Sequence, residues 1–350
     1  MLEFLSRIMI GIMCTMCGIG IATNSLSLLI YTRPNFRKKS ISVLLSSLAA
    51  TDLAVCFLAI PVFASTTLQQ FLPGYVTAVI MVYGYPITLM FQTMSVWLLV
   101  CITIDRYLAV CYPFMVNTYC TRNRALVSVA TIVIFSVVYN VVRFWEYSIV
   151  PEETGLVENM IIPLLRGDES FMLWYQNVAT LLSQFLLPLV VLCVLNLQVA
   201  RTILKATEQR RELGSSERRE HSTAKMMMMI VIVFLFCFTF SFILNILEIL
   251  SAEIFRGEIG YLLNDINNVL VVVNSSSSFI FYYNYSARFR NQARNIYGIR
   301  YFTTHSKLEP RRSHDLSAIF TNNSDNYQKA RLIHSSPSPK HSASFRSCMV

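Results

Sequence analysis

Seven long apolar stretches, at residues 8–30, 41–63, 76–103, 125–142, 171–200, 226–247 and 266–285, constrain this chain more than any other feature. A helix needs about 20 apolar residues to cross the hydrocarbon core of a bilayer. Inside lipid, every backbone N–H and C=O must be satisfied within the segment, so runs of this length predict helices. Only 14% of the 350 residues are charged, where a soluble chain carries roughly a quarter, and the charges cluster between the runs. The first run is long, and the basic segment Arg33, Arg37, Lys38, Lys39 follows it, which marks a retained helix rather than a cleaved leader. The predicted fold is an all-α membrane protein, a seven-transmembrane helix bundle over residues 8–285 with a short extracellular N-terminus at 1–7.

The connections alternate in charge. The first is purely basic, and the third carries Arg122 and Arg124 beside Asp105-Arg106. The fifth is rich in Arg and Lys, and the chain after Tyr285 is strongly basic. The second connection is uncharged, whereas the fourth (Glu146, Glu152, Glu153, Glu158, Asp168, Glu169) and the sixth (Glu253, Glu258) are acidic. Basic loops stay in the cytoplasm, so the N-terminus is expected outside and the C-terminus inside. The net charge of +9 then belongs to a cytoplasmic floor that attracts anionic lipid, and nucleic acid is an unsuitable partner.

Of the nine cysteines, Cys14, Cys17, Cys56, Cys101, Cys193 and Cys237 lie inside apolar runs, and the spacing suits neither a disulfide framework nor a metal site. Asp52 is the only charged side chain within the seven runs. A lone carboxylate near mid-bilayer costs about 2.5–3.5 kcal/mol on insertion scales, so it is expected to face inward with partners. Asn24, Ser95, Asn274 and Ser275 are the candidates, and such a cluster suits water, a proton or a small cation, with sodium near Asp52 the one ion considered and no other cofactor expected. The simpler alternative is that Asp52 only cross-links helices through hydrogen bonds. No catalytic set appears: the five histidines all fall in segments assigned to the cytoplasm, and nothing in the bundle pairs a nucleophile with a base, so the chain is not expected to be an enzyme.

Asp105-Arg106-Tyr107 followed by Pro113 resembles the Asp-Arg-Tyr motif of rhodopsin-like (class A) G-protein-coupled receptors, with matching spacing. Leu48-Ala-Ala-Thr-Asp52 resembles that family's helix-two signature, Asn24 its helix-one asparagine and Pro188 its helix-five proline. Tyr282 and Phe289 resemble its helix-seven tyrosine and the aromatic that opens a membrane-parallel helix 8. The resemblance implies an amphipathic helix 8 at 286–299 and a cytoplasmic tail at 300–350. The composition of that tail, Ser/Thr/Asn-rich with scattered basic residues, reads as disordered. A finer resemblance is to invertebrate FMRFamide-type neuropeptide receptors. It rests on Asn140-Val-Val-Arg143-Phe144-Trp145-Glu146, Phe242-Ile-Leu-Asn245-Ile-Leu-Glu248, Gln92-Thr-Met-Ser95 and the Asn274-Ser275 run. There are departures. The family's helix-three cysteine falls near Met81 and the loop 147–170 has no cysteine, so its extracellular disulfide cannot form. The helix-six Cys-Trp-x-Pro appears as Cys237-Phe238-Thr239-Phe240, and the Asn-Pro-x-x-Tyr motif as Ser278-Phe279-Ile280-Phe281-Tyr282.

The resemblance implies a plasma-membrane receptor for an amidated, FMRFamide-like neuropeptide, acting on heterotrimeric G-proteins, with kinases and arrestin as further partners at the tail. Coupling would use Asp105, Arg106, Tyr107, Pro113 and Tyr282, with Glu220 as a second partner for Arg106. The acidic outer mouth suits a cationic peptide, so Glu146, Glu248 and Asp265 are expected ligand partners. Thr88, Gln92, Thr180, Asn245, Asn264 and Asn268 are expected to line a deeper pocket. The Phe234, Phe238, Phe242 face of helix six reads as core packing. Two other readings stay open: a divergent receptor that couples poorly or takes a non-peptide ligand, and a transporter. Against a transporter stand the single intramembrane charge and the lack of an inverted repeat or broken helix pair.

Overall fold

A computed structural model describes residues 2–34, 36, 39–63, 73–150, 160–209, 215–251 and 257–296. Helix α1 spans Leu2–Tyr31 and α2 spans Ser40–Phe63; α3 spans Gly74–Cys111 and α4 Arg122–Asn140. Helix α5 starts at Phe171 and runs on as regular helix over Leu187–Gln209; α6 spans Ser215–Leu250, α7 Glu258–Tyr285 and α8 Ala287–Ile296. Between α4 and α5, strands β1 (Tyr147–Val150) and β2 (Met160–Pro163) form an antiparallel hairpin in the register Tyr147↔Pro163 to Val150↔Met160. By its contacts the chain divides into a unit over Met1–Ala293 and a second over Arg294–Val350, of which only the end of α8 is described.

Six of the helices, α1 to α6, are long and apolar enough to cross a membrane. The seventh, α7, has the length but not the apolarity, because Asn267, Asn268, Asn274 and four consecutive serines lie on it. Helix α7 packs between α1 and α6 and against α2, so this polar sequence is enclosed rather than offered to lipid. Elsewhere the usual inside-out distribution of a soluble protein is reversed. Ile12, Val127, Ile134, Val138, Val190 and Phe236 stand on the outer surface, while Asn24, Asp52, Asn140, Arg143 and Glu146 are buried. The chain is a multi-pass membrane protein.

Proline chemistry accounts for the irregular windings. Pro86 lacks an N–H and its ring crowds the carbonyl four residues back, and the turn just before it, Ile80–Gly84, widens to a π-helix. The same holds in α5, where Phe171–Ala179 and Leu181–Leu186 are π-wound ahead of Pro188. Helix α3 stops where Pro113 pushes Tyr112 out of the helical region, to φ −133° and ψ 65°. Helix α6 contains no proline and is α-helical throughout, in keeping with Phe240 at the resembled family's proline position.

Helix α1 crosses α2 and α7 at Gly20, where an added Cβ would lie 2.5 Å from both Cys56 Sγ and Ser276 Oγ. Met13, Cys17, Ala59 and Val272 make the apolar contact beside it. Helix α8 is anchored by Phe289, fully buried against the rings of Tyr31, Phe279 and Tyr282. The eight described cysteines are all free. The tail 300–350 lies outside the described residues, as does the side chain of Glu220, whose backbone belongs to α6.

Candidate functional site

Three polar sites lie along the bundle. Near its middle, Asp52 on α2 is 1% exposed and accepts a 2.7 Å hydrogen bond from Ser95 Oγ on α3. The Ser275 hydroxyl on α7 faces the same carboxylate, and Asn24 Nδ2 on α1 donates to Ser275 O at 2.8 Å. Asn24 Oδ1 is buried with no partner among the described residues. A buried carboxylate met by two hydroxyls, with an orphaned amide oxygen on the side chain that holds Ser275, makes an oxygen-rich recess, a donor set that fits water or a small hard cation. Asn274, expected in this cluster, contributes only its backbone carbonyl, to Ser277, and no side-chain bond to Asp52.

At one end, Asp105 and Arg106 are both buried and paired, with Arg106 Nε 3.1 Å from Asp105 Oδ2 and a second contact through Nη2. Adjacent residues on a helix point in different directions, so this pairing requires the guanidinium to fold back along α3. The other carboxylate oxygen accepts a 2.7 Å bond from Ser40 Oγ, the first residue of α2, a partner that the sequence reading did not identify. Tyr107 packs edge-on against Tyr112 and contacts the Val199–Ile203 face of α5, and Pro113 opens a short turn on which Phe114 is 97% exposed. Tyr282 is fully buried between α7, Tyr31 and Phe289.

The opposite end holds a cavity of about 560 Å³ walled by α2 to α7 and the hairpin. Of the residues expected to line it, Gln92, Thr180, Asn245, Glu248, Asn264, Asp265 and Asn268 do. Thr88 does not: it is fully buried, and its hydroxyl bonds back to Gly84 O within its own helix. Glu146 also stands off the wall, 1% exposed behind Arg143 and Arg166. Phe238 and Phe242 both pack in the core and line the cavity, Phe242 stacked on Phe185, so that face of α6 is core and wall at once.

Sequence reasoning missed the hub of this end. Arg143, 4% exposed on the turn after α4, donates through Nε to Asn140 Oδ1 at 3.2 Å and through Nη1 to Glu146 Oε1 at 2.9 Å. Nη1 also reaches Gln176 Oε1 on α5, Nη2 donates to Thr180 Oγ1 at 3.1 Å, and the guanidinium lies over the Tyr175 ring. Asn140 Nδ2 in turn donates to Thr93 Oγ1 on α3 at 3.0 Å. Burying an arginine is tolerable only when its donors and charge are met, and here the charge and four of the five N–H groups are. The available signal was the three-residue spacing of Asn140, Arg143 and Glu146, which stacks them along one face.

The cavity wall carries charges of both signs. Glu248 on α6 and Asp265 on α7 supply negative charge to it, and Arg143 and Arg166 supply positive charge. The Asp265 carboxylate accepts from Ser6 Oγ, which ties the start of α1 to α7. Burial works to lower Arg166, but Tyr85, Tyr147, Glu146 and Glu248 around it outweigh that and hold its guanidinium above the ordinary value. Burial pushes the Tyr147 phenol up, against the pull of Arg166.

The model of the 7 transmembrane receptor (rhodopsin family) matches residues 23–282. Over 280 residues the chain is 33% identical to FMRFamide peptide receptor frpr-18 of Caenorhabditis elegans, covering 78% of this chain and 65% of that protein. Over 291 residues it is 30% identical to the FMRFamide receptor of Drosophila melanogaster, covering 80% of this chain and 52% of that one. A shorter similarity, 28% over 130 residues, relates it to the thyrotropin-releasing hormone receptor of Gallus gallus, covering 37% of this chain and 32% of that one. The chain thus spans less than two thirds of the length of each of these relatives.

Proposed function

The chain belongs to the rhodopsin family of seven-transmembrane receptors, and from that premise we propose that it is a plasma-membrane receptor for an amidated, FMRFamide-like peptide. Its N-terminus is outside and its C-terminus cytoplasmic, and it signals through heterotrimeric G-proteins. The observation that carries this reading is the cavity itself, with Glu248 and Asp265 both in its wall. A volume of about 560 Å³ suits the end of a peptide rather than a folded partner. A guanidinium pairs with Glu248 or Asp265, and a phenyl ring packs on the Phe185–Phe242 stack. An amidated terminus brings no carboxylate to oppose the two acids. Thr88 and Glu146 act from behind the wall in this reading.

A ligand shifts a receptor's equilibrium only by binding one state more tightly than the other. Arg106, held by Asp105 here, is the group released in the signalling state, with Glu220 its second partner in the resting one. Exposed Phe114, on the turn opened by Pro113, offers an apolar contact to the G-protein. The recess at Asp52 holds sodium or water, a role that the orphaned Asn24 Oδ1 supports. Kinases and arrestin act at the tail, and the basic loops lie against anionic lipid.

The unbroken α6 supports a second reading, a receptor that binds its peptide but couples weakly. One experiment separates the two. Cells carrying a promiscuous G-protein are exposed to amidated Arg-Phe peptides, with Arg106→Ala at equal surface expression as control. A calcium response lost in the variant supports the coupled receptor, and peptide binding without nucleotide exchange supports the second reading. The absence of both binding and response overturns the peptide assignment.

A further inference from the structure

The β1–β2 hairpin supplies Tyr147 and Ile161 to the cavity wall, and no cysteine lies between Tyr147 and Ser170 to tie it down. Glu146 stands at its base. The Glu146 carbonyl accepts from Leu164 N at 2.9 Å and Arg166 N at 3.4 Å, just past the end of β2. Its carboxylate is divided: Oε1 takes the 2.9 Å bond from Arg143, while Oε2 is buried with no hydrogen-bond donor among the described residues. The cation facing Oε2 is Arg166, 3.6 Å away, whose guanidinium also lies over the Tyr147 ring. The side-chain exposures are graded, 1% for Glu146, 3% for Arg143 and 29% for Arg166.

We propose that Glu146 and Arg166 form an ionic clasp that sets the position of the hairpin, and with it the shape of the ligand cavity. Arg166 is then a positioning residue for the ligand, not a cation the ligand displaces. The argument is one of desolvation. A buried carboxylate oxygen without a donor is strongly disfavoured, and Arg166 is the cation that offsets it on this side. Remove the guanidinium and water must reach Oε2, which requires the base of the hairpin to part from the end of α4. The Arg143 pair is independent of this movement, because it lies within the turn after α4 and on α5. The ligand-binding half of the inference rests on the reading of the cavity as a peptide site, whereas the clasp itself does not.

The test uses the full-length receptor in lipid nanodiscs with two readouts. The first is amide hydrogen exchange over 160–167, which needs no ligand. Arg166→Met is expected to speed it about tenfold, and Arg166→Lys, which restores the charge, to return it near the native rate. The second is affinity for the amidated tetrapeptide Phe-Met-Arg-Phe, expected to fall about tenfold in Arg166→Met and to recover with Lys. Unchanged exchange in Arg166→Met overturns the clasp, and tighter peptide binding shows Arg166 to be a competitor of the ligand and overturns its positioning role. If the native receptor does not bind this peptide, exchange alone decides the clasp and only the ligand reading fails. Should Arg166→Met not reach the membrane, the double variant Arg143→Met, Glu146→Leu removes the buried charges together. Fast exchange there supports the clasp, and native-like exchange overturns it.

Discussion

Ser40 Oγ donates a 2.7 Å hydrogen bond to Asp105 Oδ1, so the carboxylate that holds Arg106 is itself held by the first residue of α2. Each oxygen of Asp105 thus has its own partner, one hydroxyl and one guanidinium. Hydrogen bonds to charged groups contribute about 1.5–3 kcal/mol, enough to bias a two-state equilibrium about tenfold or more.

Replacing that hydroxyl should loosen the pair. Ser40→Ala is expected to raise ligand-independent nucleotide exchange about threefold or more, as even the low end of that range allows. Surface expression should match the native receptor. A basal rate equal to the native one would mean that Asp105 holds Arg106 without help from α2.

The crossing at Gly20 makes a steric prediction. A methyl there meets Cys56 Sγ and Ser276 Oγ at 2.5 Å, whereas the same change at Gly18 meets nothing within 4 Å. Overpacking of this kind costs about 1–3 kcal/mol, so Gly20→Ala should lower the melting temperature of the purified receptor while Gly18→Ala leaves it equal or slightly higher. Equal melting temperatures would show that Cys56 and Ser276 turn aside, or that α1 shifts, to make room.

The Asp52 recess predicts an ion effect. If the recess is a cation site, peptide affinity should respond to sodium concentration, and Asp52→Asn, which keeps an oxygen for Ser95 and removes the charge, should abolish that response. Titrating sodium against potassium at constant ionic strength measures it. A variant that keeps the native sodium dependence would leave Asp52 with only its helix-linking role.

Cys120, on the connection between α3 and α4, offers a pH test. Burial first, then the nearby Asp105, push its thiol up to about 11, so less thiolate is present at neutral pH than for an ordinary cysteine. Its alkylation by a maleimide should be slow at neutral pH and climb until the pH passes 11. Asp105→Asn, which removes the negative charge, should bring that climb to lower pH; mass spectrometry of the modified peptide reads both. A thiol that already reacts at the ordinary rate at neutral pH would show that the burial does not persist in solution.

How much could be read from the sequence differed from residue to residue. Asp52 was found because lipid forbids an unexplained charge, and Ser95 and Ser275 lie at the right depth to meet it. Asn274 lies at the same depth, but its side chain makes no bond to Asp52, and depth is all that sequence position specifies. Thr88 failed as a cavity residue because its hydroxyl satisfied itself on Gly84 O, one turn back. Seven of the nine expected cavity residues stand on the wall, yet Arg143 and Arg166, the positive half, were left out. The hairpin itself was unforeseen: Tyr147–Val150 and Met160–Pro163 are short, and their pairing depends on two segments meeting.

By itself, the sequence determined the helices and the family. Apolar length, proline position and motif spacing are properties of neighbouring residues, and they act before any helix meets another. Tertiary structure alone decided which polar groups meet. The rotation of each helix about its axis sets whether a side chain faces the cavity, a partner or lipid. That rotation is settled by packing at contacts such as Gly20 and by networks such as Arg143 with Glu146, Gln176 and Thr180. Glu146 shows the difference most sharply. Its sequence marks it as an acid at the mouth of the bundle, and only its two arginine neighbours turn it into a buried base for the hairpin, because desolvating a carboxylate is tolerable only where cations already wait.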